Sequence, residues 1–486
     1  MKNTPKNNQS LLIEKDLDYS LKSIKNLSEK AVYKTEMENS TINNSISISE
    51  KQINESFSIS FIFDERVNQE TVEDFKSNQI KEEITLIRNE EKYIIKANST
   101  TTIEDTLSFP RIVNLKVNQF QNAENEFFND KILRLIIQTD KKANFDTIQT
   151  TAFKIGDSTF FGSLLELNFD GKSYHLFKYS NDDTNESFII IDSLEKNTLD
   201  EFKKNSDSIL LTLGFITGNL YQNEYYYQVL EIDNNLSITK ATYYNKKEKS
   251  ILSNVGLFAP FDFHQYLKKM GEEIDINSDK LYLKTSVFSN ICLLINKNIT
   301  LERSIKLILQ GNDTTFLLLR ASIYSIALET ITGFIYEENK TKLKPIPDKT
   351  LSKKIIKKLK EELNEYESFL SDYGNGVLNS KIENLNTPTN SKKLSAPFDI
   401  YNIKLSKDEL AILNHRNKFL HGTSPFEESE LKDKDKEIAY ITKKLLTLIN
   451  SLILKYCDYK GHLVDYGGYH QLIHEKKLTE HLFKML

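Results

Sequence analysis

The hydrophobic residues of this chain follow two different periods, one before about residue 250 and one after about residue 286. In the first region Ile, Val, Phe and Tyr alternate with polar residues, which is typical of half-buried strands. The pattern predicts strands at 57–64, 82–88, 92–97, 111–120, 131–140, 186–192 and 225–233. A hairpin is predicted at Asp170-Gly171, and one helix over 198–217 that ends at Gly218.

From about residue 286 the apolar residues recur at steps of three and four, which is typical of helices. The pattern predicts helices near 287–297, 300–310, 313–337, 350–371, 406–421, 431–457 and 468–485. Residues 372–405 carry Gly, Asn, Thr and Pro and are predicted to form a loop. Residues 1–55, rich in Asn, Ser and Lys, carry one weak helical pattern near 11–32 and are otherwise predicted to be poorly ordered or peripheral.

These elements predict an α+β chain, in which a mostly β N-terminal domain is followed by an all-α helical bundle. The domains are expected at 56–270, with a regulatory or sensing role, and at 286–486. A length of 486 residues agrees with two or three domains, because single hydrophobic cores stop growing well below that size.

The composition is that of a folded protein in a reducing compartment. Hydrophobic residues make up 39% of the chain, which is enough to form buried cores. Cys292 and Cys457 form no CxxC pair, so no disulfide framework or cysteine zinc site is predicted. The N-terminus lacks the apolar core of a signal peptide, and the most apolar run, 315–336, carries Arg320 and Glu329. We therefore expect a cytoplasmic protein with no membrane segment, in which 315–336 is a buried core helix.

Charge is distributed unevenly along the chain. Residues 1–300 hold 35 basic and 44 acidic side chains, a net −9, whereas residues 301–486 hold 29 and 25, a net +4. An anionic partner is therefore expected at the C-terminal part. The excess is too small to predict strong nonspecific binding of nucleic acid.

The sequence NHRNKFLHG, 414–422, closes a helix with clear end signals. Ser406 and Glu409 form a capping box at its start, and Gly422 is suited to the position just after its end. His421 is therefore predicted in the last turn. Leu410, Leu413 and Leu420 are expected to anchor this helix, so that trimming its polar side chains would remove no core contact.

The polar residues of this stretch suit a phosphodiester. The C-terminal end of a helix carries partial negative charge and stabilises a protonated imidazole by roughly 0.3–2 kcal/mol, which favours a His421 that exchanges protons near neutral pH. Asn417 precedes His421 by four residues, and the Arg416 guanidinium is shaped to grip a phosphate with two parallel hydrogen bonds. The ribose 2′-OH of RNA is an internal nucleophile, so cleavage at such a site requires no metal and no cofactor. One His is few for two proton transfers, and a two-fold dimer would supply a second.

The stretch RNKFLHG resembles the Arg-x4–6-His motif of the HEPN superfamily of ribonucleases. The surrounding order is also similar: a long apolar helix with an internal Glu, a spacer, the motif, and a Leu/Ile helix that leads to LILKYCDYKGHLVDYGG. This last segment is similar to the C-terminal part of ApeA-like HEPN proteins, which act in bacterial antiphage abortive infection. The resemblance covers about 300–470, and 56–270 is loosely similar to the N-terminal domains of such proteins.

The resemblance implies an all-α fold, a homodimer with the motif at its interface, and metal-independent RNA cleavage that leaves a 2′,3′-cyclic phosphate. Arg416 and His421 match the motif pair, Asn417 matches the polar position after the Arg, and Glu329 matches a helper residue more loosely. Toxin-type relatives suggest tRNA as the RNA. The N-terminal domain is then expected to sense a phage-derived trigger.

Two other functions fit the same residues. In the first, the bundle would be a non-catalytic HEPN module that scaffolds a partner. In the second, it would be only the dimerisation unit of a sensor for a small ligand or a phage protein. Glu329 lies within an apolar helix and is costly to bury unpaired, so it is expected to pair with Arg320 or Arg416. A motif buried away from any cleft favours these non-catalytic functions.

Three further features raise weaker hypotheses. His470, His474 and His481 would share one face of a terminal helix, where they form either a zinc site or a plain polar face. The basic run at 353–360 either contacts RNA or is a solvated face. His462, in a turn, is a candidate for lining the cleft of the helical domain.

Overall fold

The structure is a computed structural model of the 486-residue chain. It describes the chain except for residues 1–16, 18, 28–30, 38–44, 49–56, 64–82, 89, 97–99, 106–110, 140–144, 156–157, 182–185, 220, 222–223, 232–237, 247–255, 273–274, 276–277, 279–280, 341, 424–425, 427–434 and 476–480. The chain forms two compact units. The first comprises Met1–Ile251 and Tyr266–Asn296, and the second comprises Leu252–Gln265 and Lys297–Leu486.

The first unit is built on antiparallel strands, as the alternating pattern predicts. The strands are β1 Ala31–Met37, β2 Ser45–Ile48, β3 Phe57–Phe63, β4 Ile84–Arg88, β5 Glu91–Ile95, β6 Thr100–Asp105, β7 Arg111–Val117, β8 Gln119–Gln121, β9 Ile132–Thr139, β10 Thr151–Ile155, β11 Ser158–Phe169, β12 Lys172–Asn181, β13 Glu186–Ser193, β14 Glu224–Glu231 and β15 Ile238–Lys246. Within the described residues they form one 15-stranded sheet in the order β10-β11-β12-β13-β9-β14-β15-β8-β5-β4-β1-β2-β3-β7-β6.

Local signals set the turns and the helix of this unit. The predicted hairpin joins β11 to β12 through Asp170 and Gly171, both with positive φ, as a tight two-residue turn requires. Helix α1, Leu199–Thr217, begins at Thr198, whose side chain accepts from the Glu201 N–H, and ends at left-handed Gly218. The predicted helix over 198–217 is thus confirmed.

The N-terminal segment differs from its prediction. Residues 19–27 are helical, and β1 pairs with β4 inside the sheet. Leu17, Ile24, Leu27 and Tyr33 are buried in one hydrophobic cluster with residues of β3, β5 and β7. Part of 1–55 is therefore core structure instead of a peripheral segment, because Leu17, Ile24, Leu27 and Tyr33 lie on the face that the sheet covers. The rest of 1–55 lies largely outside the described residues.

The second unit is a helical bundle, as the 3.6-residue period predicts. In chain order from residue 260 the helices are α2 Pro260–Lys269, α3 Thr285–Lys297, α4 Ile299–Asp313, α5 Leu317–Asn339, α6 Lys349–Glu365, α7 Asp372–Glu383, α8 Asn390–Ile400, α9 Lys407–Leu420, α10 Asp435–Tyr456 and α11 Tyr466–Glu475. A short antiparallel pair, β16 His462–Val464 and β17 Phe483–Met485, completes it. The chain is therefore α+β, with a β-rich first unit and a helical second unit.

The boundary between the units lies later than residue 286. Helix α3 packs on the first unit, where Ser289 Oγ accepts from the Asn168 N–H at 3.1 Å and Asn296 donates to Asn205 of α1 at 2.5 Å. Residues 252–265 instead belong with the helical unit.

The loop predicted at 372–405 is wrong. Two helices occupy much of this range, and hydroxyl side chains cap them: Ser371 accepts from the Gly374 N–H at the start of α7, and Thr389 accepts from the Lys392 N–H at the start of α8. Such side chains compete with the backbone inside a helix but satisfy its free N–H groups at the N-terminus, so they mark boundaries within a helical region.

The single terminal helix predicted at 468–485 is also wrong. Helix α11 ends at Glu475, and β17 pairs with β16. His481 therefore lies outside the helix that holds His470. No helical face carries all three His residues, and the described part of the chain contains no group of three or more His, Cys, Asp or Glu placed to hold a metal ion.

Helix α5 is the centre of the bundle. It contacts α4, α8, α9 and α10, and among the described residues it is the one helix long and apolar enough to span a membrane. Its buried face includes Ala321, Leu328 and Ile335, and its packing on four helices agrees with the predicted core helix.

Close contact between α4 and α5 gives a first prediction. Gly311 of α4 lies against the ring of Tyr324 of α5, which is fixed by a 2.6 Å hydrogen bond to Asn312 Oδ1, and a Cβ added at Gly311 would overlap that ring. We expect Gly311→Ala to lower the free energy of unfolding by about 1–3 kcal/mol through overpacking. The matched control is Gly333→Ala on α5, where a Cβ meets nothing within 4 Å; it should raise stability by about 0.5–1 kcal/mol. Urea denaturation of both variants checks the pair, and an equally stable Gly311→Ala would contradict the packing.

Candidate functional site

The helix that carries the motif is fixed at both ends by its own sequence. The Ser406 side chain accepts from the Glu409 N–H, and the Glu409 carboxylate accepts from the Ser406 N–H, which confirms the predicted capping box. The helix ends at Leu420, with His421 as its C-cap and left-handed Gly422 after it. His421 is therefore at the helix end, as predicted.

The rotation of this helix differs from the prediction. Its buried residues are Glu409, Ile412, Leu413, Arg416 and Phe419, whereas Leu410 is 41% exposed. The buried face is thus rotated by about one residue from the expected Leu410-Leu413-Leu420 face. Arg416 consequently belongs to the packed side, and trimming it removes a core contact.

Arg416 joins α9 to α5. Its Nη1 lies 2.5 Å from Oε1 of Glu329, and the Arg416 side chain is only 6% exposed while that of Glu329 is 43% exposed. Nη1 also donates to Oδ1 of Asn417, and the buried Nε has no hydrogen-bond partner among the described residues. Of the two partners expected for Glu329, the structure selects Arg416. Arg320 instead donates to the carbonyl groups of Thr314 and Asn312.

A second contact fixes the end of α9. The Ser322 hydroxyl of α5 donates to the Phe419 carbonyl at 2.8 Å. Arg416 therefore meets Glu329 while Phe419 meets Ser322, so α9 runs antiparallel to α5 and its C-terminal end lies toward the start of α5. Sequence reasoning missed Ser322, because nothing near it in the sequence signals a contact 97 residues away.

His421 and Arg416 point in different directions. His421 is exposed and makes no side-chain hydrogen bond within the described residues, whereas Arg416 is buried five positions earlier. Five residues on a helix are separated by about 140° of rotation. Within one chain the two members of the motif are thus presented separately: the imidazole to solvent, and the guanidinium to the carboxylate and amide beside it. Asn417, exposed on the helix surface, contacts Arg416 and lies between them.

Chemically, this arrangement supplies an exposed acid or base at the negative end of a helix and a fixed cation one and a half turns earlier. The Glu329 carboxylate orients the Arg416 guanidinium and offsets its charge. A guanidinium carries five N–H donors, so pairing with Glu329 and Asn417 leaves further donors for a ligand that displaces Asn417.

His462 lies buried in an aromatic cluster. Its ring stacks on Phe263 at 3.6 Å between centroids, with Phe258 and Phe483 edge-on, and neither ring nitrogen has a hydrogen-bond partner among the described residues. Burial lowers the pKa of His462 to about 4. This residue is a buried neutral imidazole and does not line a cleft, which corrects the sequence hypothesis.

Acid is therefore expected to destabilise the second unit through His462. Because its pKa is lower in the folded than in the unfolded chain, the stability it contributes is complete above pH 6.5 and is lost as pH falls from 6.5 toward 4. The loss should reach about 2 kcal/mol between pH 6.5 and pH 5. Urea unfolding at both pH values measures it, and His462→Phe, which keeps the aromatic packing, should lose less over the same interval. An equal loss in both proteins would contradict this origin.

His470 also has a structural setting. It is buried, and its Nδ1 lies 3.3 Å from Nζ of Lys443 on α10. Burial lowers the pKa of Lys443, and the charge of Arg320 lowers it further.

Comparison of the chain with protein-family models, with curated proteins and with solved structures gives no match to any of them. The family resemblance consequently rests on the motif and the order of helices around it.

Proposed function

We propose that this chain is a cytoplasmic, metal-independent endoribonuclease of the HEPN toxin type that acts in antiphage abortive infection. Its RNA is expected to be structured, with tRNA as the first candidate, and the β-rich unit is proposed to sense a phage-derived trigger. The observation that carries the proposal is the motif helix itself: a capped helix that ends at His421 and holds Arg416 against Glu329.

In the proposed reaction the ribose 2′-OH attacks the adjacent phosphorus and the 5′-oxygen leaves, which produces a 2′,3′-cyclic phosphate. His421 transfers protons at the 2′-OH or at the leaving oxygen. Arg416 stabilises the charge that develops on the phosphate oxygens, with Asn417 and Glu329 orienting it.

A homodimer through the helical unit would complete the site. Each chain offers one exposed motif His for two proton transfers, so a second copy facing it is needed. A face of α5 also remains open: Leu319 and Ile326, one heptad apart, are exposed on the same side of the helix as Glu329. A second chain that covers this apolar face would bring a second motif close to Glu329 and Arg416.

End-group analysis of cleaved RNA tests the reaction. Purified protein is incubated with tRNA in the presence of EDTA. The fragments are then treated with a phosphatase, with and without prior acid, because the enzyme removes a 2′,3′-cyclic phosphate only after acid has opened the ring. We expect cleavage to persist in EDTA and to leave cyclic phosphate ends. Loss of cleavage in EDTA with rescue by a divalent ion, or ends with a free 3′-hydroxyl, would contradict the proposed chemistry.

The burial of Arg416 favours a second candidate function, a non-catalytic HEPN module that scaffolds a partner. An Arg that is 5% exposed and already paired with Glu329 and Asn417 serves a structural contact well. This function predicts that Arg416→Lys and His421→Ala leave cellular toxicity unchanged at normal expression. The catalytic function predicts that both abolish it, since a point charge does not reproduce two parallel hydrogen bonds to a phosphate.

A further inference from the structure

One helical hairpin of the second unit is left almost uncovered. Helices α6 and α7 form an antiparallel pair whose base is closed by Asn386, which accepts from the Ile346 N–H at 2.7 Å and donates to the Ile346 carbonyl at 3.0 Å. Helix α6 has 17 residues, of which Ser352 alone is buried. An isolated helix of that length is marginal in water, and the described residues cover little of this one.

The hairpin carries apolar surface that faces solvent. Along α6 the apolar residues Leu351, Ile355, Leu359 and Leu363 follow one side, and α7 leaves Leu351 49% and Leu359 40% exposed. At the tip, Phe369 is 83% exposed and Tyr373 is 84% exposed. Contiguous exposed apolar residues of this kind mark an interaction surface.

Charge on the hairpin is separated along its length. The first part of α6 holds six lysines and no acid: Lys349, Lys353, Lys354, Lys357, Lys358 and Lys360. The last turn and the tip hold five acids: Glu361, Glu362, Glu365, Glu367 and Asp372. Of the charges of α6, Lys349, Lys358, Glu362 and Glu365 lie at the edges of its apolar side, whereas Lys353, Lys357 and Glu361 lie opposite it.

This order of charge opposes the stability of the helix that carries it. A helix is stabilised by acidic side chains at its N-terminus and basic ones at its C-terminus, because its own dipole is positive at the start. Helix α6 has no acid in its first turn and no base in its last turn, although the Asp348 carboxylate caps its start by accepting from the N–H groups of Thr350 and Leu351. Ion pairs within the hairpin, Lys357 with Glu361 and Lys360 with Glu383, offset only part of this charge.

We propose that the hairpin at 346–386 is a self-association surface, on which the same hairpin of a second copy docks in antiparallel orientation. The basic half of each α6 then lies beside the acidic tip of the other, and the exposed leucines and Phe369 are covered. A two-fold axis places one patch against itself, so a patch that is basic at one end and acidic at the other is complementary to itself only when antiparallel. This contact is separate from the open face of α5 and does not depend on ribonuclease activity.

Reciprocal charge reversal tests the proposal in the full-length chain. One variant changes Lys353, Lys354, Lys357 and Lys358 to Glu, and the other changes Glu361, Glu362, Glu365 and Glu367 to Lys. Each variant gains charge in the order that the helix dipole favours but loses the Lys357–Glu361 pair and gains like-charge neighbours four residues apart, so circular dichroism and urea denaturation first establish that it is folded. Each alone is expected to self-associate at least about tenfold more weakly, because like charges now face each other. An equimolar mixture should recover association, since the all-acidic hairpin of one chain meets the all-basic hairpin of the other.

Analytical ultracentrifugation at micromolar concentration gives the masses, with Ile326→Asp present in every chain so that the open face of α5 does not contribute. The control for charge alone is the double change Lys404→Glu and Lys407→Glu, outside the hairpin, which should leave association as in the parent chain. A parent chain that is monomeric, unchanged association in either reversed variant, or a mixture that stays monomeric overturns the proposal. Lower RNA affinity of the Lys-reversed variant with unchanged mass overturns it too and assigns the hairpin to RNA.

Discussion

Replacing His421 with alanine is expected to lower the rate of RNA cleavage by about 10²–10⁴-fold, the contribution of a positioned general acid or base. The change should leave stability unaffected. His421 is exposed, and the hydrogen bonds that close the helix run from its backbone N–H to the carbonyl groups of Asn417, Lys418 and Phe419, which alanine retains. No buried apolar contact is lost, so the free energy of unfolding should stay within about 0.5 kcal/mol of the wild type.

Single-turnover cleavage of tRNA and urea denaturation measure the two quantities on the same preparations. His415→Ala is the matched control, because His415 lies on the same helix and is half-buried but has no role in the proposed reaction. If His421→Ala cleaves RNA at a near-normal rate, the catalytic function is wrong. If His415→Ala loses as much activity, the effect belongs to the helix and not to the motif.

The ends of helix α9 could be predicted from the sequence because the signals that set them are local. The side chains of Ser406 and Glu409 accept hydrogen bonds from backbone N–H groups at the start of the helix, and Gly422 adopts the left-handed conformation that ends it. For the same reason Thr198 and Gly218 gave the ends of α1 correctly.

The rotation of α9 could not be predicted, because it depends on a distant partner. Glu409 is buried and lies 2.7 Å from Nζ of Lys484, 75 residues later, on β17. Burial alone would raise the pKa of Glu409, but the Lys484 ammonium and the Ser406 N–H lower it overall. A carboxylate satisfied in this way can take a core position that an apolar pattern assigns to Leu410.

The wrong terminal helix has a related cause. Its pattern of apolar and polar residues fits both a helix and a strand over so short a run, and the pairing of β17 with β16 depends on residues about 20 positions away. The Arg416–Glu329 pair was among the expected alternatives because a buried carboxylate needs a cation, but the choice between Arg320 and Arg416 is set by packing of α9 on α5.

Replacing Arg416 with alanine is expected to lower the free energy of unfolding by about 2–4 kcal/mol, because it removes a buried side chain and its charge-assisted contact with Glu329. Glu329→Gln should cost less, since that carboxylate is 43% exposed and keeps its hydration. In the double variant the losses should fall short of their sum, which gives the coupling between the two residues.

Arg416→Lys separates the structural role from the catalytic one. A lysine retains the charge beside Glu329, so stability should recover in part, whereas cleavage should remain as low as in Arg416→Ala, because an ammonium cannot hold a phosphate with two parallel hydrogen bonds. Urea denaturation and single-turnover cleavage of the wild type and the four variants decide the matter. If cleavage follows stability across the series and Arg416→Lys is active whenever it is folded, then Arg416 acts only by joining α9 to α5, and its proposed catalytic role is wrong.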